Sequence, residues 1–385
     1  MAYFDYNATT PLNVTARDVL FQALDNQWSN PSSPYRQSAR VHNTLATARE
    51  SLALLLNKTS DEVVFTGGAT EANNSVIQFL EKKLADDQRC LLSPFEHPSV
   101  VQSAQHHFGN RLQHIQSTPN GIIDLSHLDE LLQSGNIGAV SVMAVNNESG
   151  VVQPFEEIGE RCRSAGIYFH CDASQWFGKF PSKAIEHCDF LVGCAHKFGG
   201  PKGAGFLALS PKVHGFSAQL GGGQESGRRG GTENVPSILA MVAALESSGN
   251  DLPGIKHQQS FRDQFEKTLD LVIPGVSFIG QQSNRASNTS FLIMPIHENL
   301  RWVRKLDVLG FQVSTGSACS TEKSGSSDVL NALGYSADSG RRSIRVSSWV
   351  STTESDWIAL AQAFVAVWTD LQEPTSPGGS DVISI

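Results

Sequence analysis

The sequence has little of several features that mark common classes of protein. Its six cysteines form no CxxC pair, a spacing that is poor for a structural zinc site. Its longest apolar runs fall well short of the roughly 20 residues that a membrane-spanning helix needs. It has no dense basic run, and its formal charge of −9 argues against nucleic acid as the main partner. Small molecules and other proteins are therefore the expected partners, and neither a membrane nor a metal is expected.

The beginning of the chain, MAYFDYNATTPL, has neither the basic segment nor the apolar segment of a secretory signal. We therefore expect a cytoplasmic protein. With 385 residues, of which 40% are hydrophobic, the chain is long enough for two domains or for one large domain with a smaller companion.

The middle of the chain alternates short apolar runs with amphipathic stretches, as βαβ units do, and this predicts an α/β fold. Residues 71–85 and 155–166 are predicted as helices. Six apolar runs are predicted as buried strands: 62–65, 90–93, 139–145, 167–170, 189–192 and 205–209.

A second block begins near residue 260 with SFRDQFEKTLDLV, followed by strand-like SNTSFLIM and by VRKLDVLGFQVST. The last helix is the clearest, because Thr353 and Asp356 have the spacing of a capping box. Its apolar face is predicted to pack in the core and consists of Trp357, Leu360, Ala361, Phe364, Trp368 and Leu371. The end of the chain is rich in Pro, Gly and Ser, which predicts a loose tail.

Polar residues follow five of the predicted strands. Ligands bind beyond the carboxyl ends of strands in open α/β sheets, so these residues are expected to meet at one site. The first group, TGGAT, is a glycine-rich turn that leads into a helix and would cradle a phosphate with backbone N–H groups. The other groups are His97, then Asn146 and Asn147, then Asp172 and Gln175, and finally His196 and Lys197.

Each of these residues has an ordinary explanation when taken singly, since such residues often form turns and helix caps. Together they indicate one ligand with five features. It would have a phosphate for the turn, a basic nitrogen for Asp172, a ring hydroxyl for Asn147 or Gln175, a flat face for His97 and an aldehyde for Lys197. Pyridoxal 5′-phosphate (PLP) has all five.

Lys197 lies in the glycine-rich segment GCAHKFGGPKGAG, directly after a predicted buried strand. A lysine in a tight, partly desolvated turn has a lowered pKa and can form a Schiff base with an aldehyde. Asp172 beside the pyridine nitrogen would keep that nitrogen protonated and make the ring a better electron sink.

Cys319 differs from the other five cysteines, which lie in or beside apolar segments and are expected to be buried. It occurs in STGSACSTEKSGSS, a run of small polar residues that is unsuited to a core and suited to a mobile arm. A structural role for this thiol is therefore not expected.

The motifs resemble, in the same order and along most of the chain, those of cysteine desulfurases of the NifS/IscS type, within class V of the fold-type I PLP enzymes. They are YFDYNATTPL, NPSS, VVFTGGATEANN, EHPSV, VNNESGVVQP, FHCDASQWFGK, AHKFGGPKGAG, GGGQESGRRGGTENV, STGSACS and SIRVSS.

The resemblance implies a large domain with a mainly parallel seven-stranded sheet and a smaller α+β C-terminal domain. The implied bounds are 1–14 for an N-terminal arm associated with the small domain, 15–258 for the large PLP-binding domain, 259–372 for the small domain that carries the Cys319 loop, and 373–385 for a flexible tail.

The resemblance also implies roles for individual residues. Lys197 would be the Schiff-base lysine, Asp172 would bind the pyridine nitrogen, and His97 would stack on the ring and shuttle protons. Cys319 would be the nucleophile. The remaining cofactor contacts would come from Asn147 and Gln175 at the ring hydroxyl, from Ala69, Thr70, Cys194 and His196 at the phosphate, and from Thr232 of a second subunit. Arg345 and Asn147 would bind the substrate.

By the same resemblance, the protein would be a homodimeric desulfurase with its active site at the subunit interface. It would convert L-cysteine to L-alanine and pass the sulfur, as a persulfide on Cys319, to a protein acceptor such as an iron–sulfur scaffold. Three positions depart from the family pattern: Tyr35 replaces a common histidine, Ser38 a common glycine and Cys194 a phosphate-binding serine.

Three other interpretations stay open at this point. The protein could be a selenocysteine lyase or another class V enzyme, although such enzymes do not need a cysteine on a mobile loop. It could be a metal-dependent hydrolase that uses His170, Asp172 and His97. It could also be an inactive relative that serves as a dimeric scaffold.

Overall fold

The computed structural model describes residues 1–185, 187–316 and 327–372. The helices are α1 Val14–Asn26, α2 Arg36–Leu55, α3 Ala69–Lys83, α4 Pro98–Phe108, α5 Leu125–Gln133, α6 Phe155–Ser164, α7 Val235–Val272, α8 Asn299–Val308, α9 Asp328–Ala332, α10 Ala337–Arg341 and α11 Glu354–Gln372. The strands are β1 Ala2–Tyr3, β2 Val63–Thr66, β3 Arg89–Leu92, β4 Leu112–His114, β5 Ile137–Ser141, β6 Tyr168–Asp172, β7 Phe190–Cys194, β8 Gly205–Leu209, β9 Ser277–Phe278, β10 Thr289–Ile293, β11 Phe311–Gln312, β12 Ser314–Thr315 and β13 Ser343–Ser347. Within the described ranges, every helix is too short or too polar to cross a membrane.

The large sheet has seven strands in the order β2-β8-β7-β6-β5-β3-β4. Strand β8 runs antiparallel to both of its neighbours, and all other pairs are parallel. Every residue of β5, β7 and β8 is buried, as expected for strands covered by helices on both faces. The predicted α/β fold with a mainly parallel sheet is confirmed.

The six predicted strands are all present: β8 has the predicted bounds, and the ends of the other five are shifted. Strand β5 ends at Ser141, whereas the sequence predicted a strand to residue 145. Strands β6 and β7 run two residues further than predicted, so Asp172 and Cys194 are the last residues of their strands. The short strand β4 was not predicted, because its three residues carry no continuous apolar run.

The second sheet is antiparallel, in the order β12-β13-β10-β9, and it packs with helices around its own apolar cluster. Residues 303–308 of the VRKLDVLGFQVST stretch belong to α8, and the strands follow only at Phe311. The predicted capping box is confirmed: the Thr353 backbone N–H donates to Asp356, and the Asp356 backbone N–H donates to Thr353 Oγ1. This sheet with its helices is the expected α+β unit.

The N-terminal residues pack against the second unit. Strand β1 pairs with β11 in a separate two-stranded sheet, Asp5 forms a bridge to Ser347 of β13, and Phe4 is fully buried in the second apolar cluster. Helix α7 continues from Val235 to Val272, so the predicted domain boundary at residues 258 and 259 lies inside a helix. The domain bounds themselves remain a prediction.

A buried ion pair joins α7 to the chain that enters β10. Both Glu266 carboxylate oxygens accept hydrogen bonds from Arg285, at 2.9 and 3.0 Å, and each side chain is only 4% exposed. Ser290 and Gln281 also donate to this carboxylate. Burial opposes ionisation, but these hydrogen bonds lower the pKa of Glu266 below its usual value.

We predict that Glu266→Gln lowers the free energy of unfolding by about 3–5 kcal/mol, because it leaves the Arg285 charge buried without a counter-ion. Urea unfolding of the purified protein measures the change. Glu246→Gln is the matched control, since Glu246 lies on the exposed face of the same helix. Equal midpoints for the two variants would show that this ion pair adds nothing to stability.

Candidate active site

A cavity of about 690 Å³ lies at the carboxyl ends of the strands of the large sheet. It brings together ten of the residues predicted from the sequence: Ala69, Thr70, His97, Asn147, Asp172, Gln175, Cys194, His196, Lys197 and Arg345. Asn146 is buried close by but does not line the cavity. Thr232 is exposed and lies outside it, and Cys319 falls outside the described residues.

The glycine-rich turn forms the N-terminus of α3. The helix begins at Ala69, two residues earlier than predicted, so Ala69 and Thr70 belong to its first turn. The backbone N–H groups of a first helical turn have no partner within the helix, and they lie at the positive end of the helix dipole. Gly68 has φ 147°, a conformation suited to glycine, and a Cβ on Gly205 would lie 2.7 Å from its Cα. The turn therefore presents backbone donors to an anion.

Cys194 and Ser174 lie beside this turn. Burial raises the pKa of the Cys194 thiol, although the nearby Lys197 charge opposes the shift. Ser174 Oγ is buried and has no hydrogen-bond partner among the oxygen and nitrogen atoms of the described residues. The Cys194 thiol is a hydrogen-bonding neighbour of this hydroxyl, but sulfur is a weak partner, so Ser174 Oγ can still bond to a ligand.

Asp172 is held by donors on two elements. Its Oδ2 accepts from Asn73 Nδ2 at 2.8 Å, and its Oδ1 accepts from the Ser174 backbone N–H at 2.9 Å. Asn73 lies on α3, is fully buried and was missed by the sequence analysis. Asn73 stands one helical turn after Ala69, so the helix that begins at the glycine-rich turn also places Asn73 beside Asp172.

Both ring nitrogens of His170 are occupied by protein groups. Nδ1 lies 2.8 Å from Ser141 Oγ, and Nε2 lies 3.1 Å from Asn73 Oδ1. Burial lowers the pKa of His170 to about 4, so the ring is neutral. His170 is therefore not available as a metal ligand. In the described ranges, no group of three or more His, Cys, Asp or Glu side chains is arranged to hold a metal ion.

His97 is the N-cap of α4. Its Nδ1 accepts from the Ser99 backbone N–H at 3.1 Å and lies 2.8 Å from Ser99 Oγ. Burial lowers the pKa of His97, while the charge of Asp172 opposes that shift. The ring lines the cavity as a neutral imidazole at neutral pH.

The N-terminal motif YNATT supplies acceptors for the lysine, which the sequence analysis did not anticipate. Lys197 Nζ donates to the backbone carbonyls of Asn7 and Ala8 at 2.6 and 2.8 Å. Gln175 Nε2 donates to the same Asn7 carbonyl at 2.9 Å. Burial, with Lys197 next, lowers the pKa of His196 to about 4.

Lys179 is a buried lysine that was also missed. It lies in the turn that follows β6, close behind Gln175 in the sequence, and its Nζ donates to Gln175 Oε1. Burial lowers the pKa of Lys179 well below its usual value, and the charges of Lys197 and Arg345 act in the same direction. Because Oε1 accepts from Lys179 and Nε2 donates to the Asn7 carbonyl, the orientation of the Gln175 amide is fixed.

Arg345 lies on β13 and joins the second sheet to the cavity. Nη2 donates to Asp5 Oδ1 at 2.6 Å, and Nη1 donates to the Asn147 carbonyl at 3.1 Å. Its Nε is buried and has no hydrogen-bond partner within the described residues. The Nε donor of the guanidinium therefore remains for a ligand.

Glu148 lines the cavity together with Asn147 and Arg345, the residues predicted from the sequence to bind the substrate. Its Oε2 accepts from Ser327 Oγ at 2.6 Å, and burial raises the pKa of Glu148 to about 7. A carboxyl group whose pKa is raised by folding contributes stability below its unfolded pKa, and that contribution is lost as the pH rises through 7.

We predict that Glu148→Gln gains stability relative to the unmodified protein as the pH rises from about 5 to about 8. The amide keeps an oxygen for Ser327 but cannot ionise. The shift from 4.5 to about 7 corresponds to a relative gain of about 3 kcal/mol in the free energy of unfolding. Urea unfolding at both pH values tests this, with Glu130→Gln as the exposed control. A difference independent of pH would show that Glu148 does not titrate in this range.

Comparison with known proteins gives a consistent result over most of the chain. The class-V aminotransferase family model matches residues 2–359. Cysteine desulfurase 2 of Trichormus variabilis is 33% identical over 357 residues, which are 92% of this chain and 89% of the relative. Cysteine desulfurase IscS of Dictyoglomus turgidum is 33% identical over 363 residues, 92% of this chain and 91% of the relative.

Solved structures agree. A NifS-like protein superposes with a TM-score of 0.88 at 26% identity, covering 96% of this chain and 99% of its own. SspA in complex with cysteine superposes with a TM-score of 0.77 at 28% identity, covering 90% of this chain and 98% of its own.

Proposed function

Because the chain belongs to the class-V aminotransferase family, and within it to the cysteine desulfurases, we propose that it converts L-cysteine to L-alanine with Cys319 as the sulfur acceptor. The observation that carries this proposal is the meeting of Lys197, Asp172, His97 and Arg345 at one cavity. Gly316 and Asp328, which come before and after Cys319 in the sequence, line the same cavity.

The residues of the cavity fit PLP, the cofactor of this enzyme family. The Ser174 hydroxyl, whose hydrogen-bonding neighbour is the weak thiol of Cys194, and the open N–H groups at the start of α3 suit the phosphate. When bound, the cofactor would withdraw electrons from the α-carbon of the substrate. Asp172 would hold the pyridine nitrogen, and Lys197 would hold the aldehyde carbon.

We propose the remaining cofactor contacts as the family resemblance implies them. Ala69, Thr70, Cys194 and His196 would bind the phosphate, together with Thr232 of the partner subunit. Asn147 and Gln175 would contact the ring hydroxyl, and the hydrogen bond from Lys179 supports Gln175 as a donor there. His97 would stack on the ring.

Arg345 would bind the substrate carboxylate, with Asn147 alongside. Asp5 and the Asn147 carbonyl hold the two Nη atoms and fix the plane of the guanidinium. The Nε donor that lacks a partner then supports a two-pronged contact of Nε and one Nη with a carboxylate.

The proposed reaction balances without an outside oxidant. The Cys319 thiolate attacks the substrate sulfur, so an S–S bond forms while the substrate C–S bond breaks. The electron pair of the C–S bond stays on carbon, which takes up a proton and becomes the methyl group of alanine. The proton lost by the Cys319 thiol offsets the proton gained by that methyl group.

We further propose that the enzyme is a cytoplasmic homodimer that passes the persulfide to a protein acceptor, such as an iron–sulfur scaffold. Large apolar side chains on and after α1 support a second copy as the partner, since Phe21, Leu24 and Trp28 are 60%, 53% and 72% exposed. The exposed position of Thr232 is consistent with a contact made to the other subunit.

We predict that Cys319→Ala abolishes alanine release from L-cysteine and persulfide formation, while cofactor binding persists. The reason is that no other thiol on this segment can accept the sulfur. Alanine release and mass spectrometry of the peptide that contains residue 319 measure both effects. Ser320→Ala, on the same segment, is the matched control and is expected to keep activity. Full alanine release by the Cys319→Ala variant would rule out the desulfurase mechanism and favour a lyase that needs no enzyme thiol.

A second prediction concerns the cofactor. The purified protein is expected to be yellow, and borohydride is expected to bleach it by reducing the bond to Lys197. Tryptic mass spectrometry after reduction would then find the cofactor on the Lys197 peptide. Lys202→Ala should behave like the unmodified protein, whereas Lys197→Ala should carry no covalent label. A label on any other lysine would contradict the assignment.

A further inference from the structure

We propose that Ser99 is a positioning residue that fixes the tautomer of His97, so that the resting enzyme presents the Nε2–H of this ring to the cavity, and not a lone pair. The inference rests on the proposed function only for the kind of ligand that His97 faces in the cavity. The tautomer itself follows from hydrogen bonds made by the chain alone.

The backbone of Ser99 gives the first argument. Its N–H donates to His97 Nδ1 at 3.1 Å. A backbone N–H group can only donate, so Nδ1 must carry a lone pair. In a neutral imidazole the proton is then on Nε2. His97 is neutral at neutral pH because burial lowers its pKa; Lys197 acts in the same direction, and Asp172 opposes it.

Asn73 gives the second argument, because its orientation is determined by its neighbours. One of its amide atoms lies 2.8 Å from Asp172 Oδ2, and a carboxylate only accepts, so that atom is the nitrogen Nδ2. The same Nδ2 donates to Ser99 Oγ at 3.0 Å. Asn73 Oδ1 then faces the Nε2 of the neutral His170 ring, which donates to it at 3.1 Å.

The orientation of Asn73 determines the direction of the hydrogen bond between Ser99 Oγ and His97 Nδ1. Ser99 Oγ accepts from Asn73, so its own hydrogen is available for His97 Nδ1, which lies 2.8 Å away. The chain of donors therefore runs from Asn73 through Ser99 to His97. The opposite tautomer would place an Nδ1–H against the Ser99 N–H and would leave buried donors unpaired, at a cost of about 1–3 kcal/mol.

The consequence concerns what His97 can do in the resting enzyme. Its Nε2 has no hydrogen-bond partner within the described part of the chain, and the ring lines the cavity. His97 can therefore donate a hydrogen bond or a proton to a bound group. It can accept a proton at Nε2 only after Nε2 has given up its own proton and Nδ1 has taken one, which requires the Ser99 hydroxyl to turn away.

The test observes the tautomer directly. Full-length protein with bound PLP is labelled with ¹⁵N-histidine, and long-range ¹H–¹⁵N correlation spectra identify which ring nitrogen carries the proton. The signals of His97 are assigned by their loss in His97→Gln. We expect His97 to be protonated at Nε2. In Ser99→Ala, one hydrogen bond to Nδ1 is lost while the backbone N–H remains, so the tautomer ratio should shift toward Nδ1–H by about 2- to 10-fold, as for one neutral hydrogen bond.

Ser99→Thr is the matched control, because it keeps the hydroxyl and should keep the tautomer ratio of the unmodified protein. The pKa of His97 should rise in Ser99→Ala and stay unchanged in Ser99→Thr, since the lost hydrogen bond favours the neutral ring. A proton on Nδ1 in the unmodified protein, or identical spectra for all three proteins, would overturn the proposal. These spectra need no turnover, so a protein without desulfurase activity would refute the proposed function and leave this inference standing.

Discussion

The hydrogen bond from the Asn73 amide to the Asp172 carboxylate is the contact on which the rest of the site depends. A buried carboxylate is costly unless donors satisfy it, and here one donor comes from α3 and the other from the backbone after β6. The bond therefore fixes the helix against the sheet. Since α3 also begins at the phosphate turn, the same contact sets the distance between the anion cradle and the carboxylate. A ligand that must meet both groups is selected by that spacing.

The N-terminal stretch completes the site from the opposite side. Asp5 holds Arg345 and bridges to β13, while the carbonyls of Asn7 and Ala8 accept from Lys197. A stretch of four residues thus determines where the Arg345 guanidinium and the Lys197 amine stand relative to each other. The arrangement is possible because β1 is anchored by its pairing with β11 while the residues after it cross to the lysine turn.

The sequence was sufficient to predict the residues at the strand ends, because parallel strands bring their carboxyl ends to one edge. It was insufficient for the partners that orient them. Asn7 meets Lys197 across 190 positions of the chain, and Asp5 meets Arg345 across 340. Apolar periodicity reports which face of an element is buried, but it does not report which distant polar group lies opposite. The domain boundary was hard to place for a similar reason, since α7 carries apolar residues for both clusters along one uninterrupted helix.

The shell around the site contains buried titratable groups whose pKa values burial shifts toward the neutral form. Burial raises the pKa of Glu96 to about 8 and lowers that of His170 to about 4, and it lowers the pKa of Lys179 well below its usual value. Neutral neighbours screen a charge poorly, so the field of Asp172 and of the Asp5–Arg345 pair acts on a bound ligand with little attenuation. The polar groups of the shell are then best understood as oriented dipoles. Such preorganised dipoles stabilise developing charge without the reorganisation that water would require, and this explains why a catalytic cavity is lined with so many buried polar side chains.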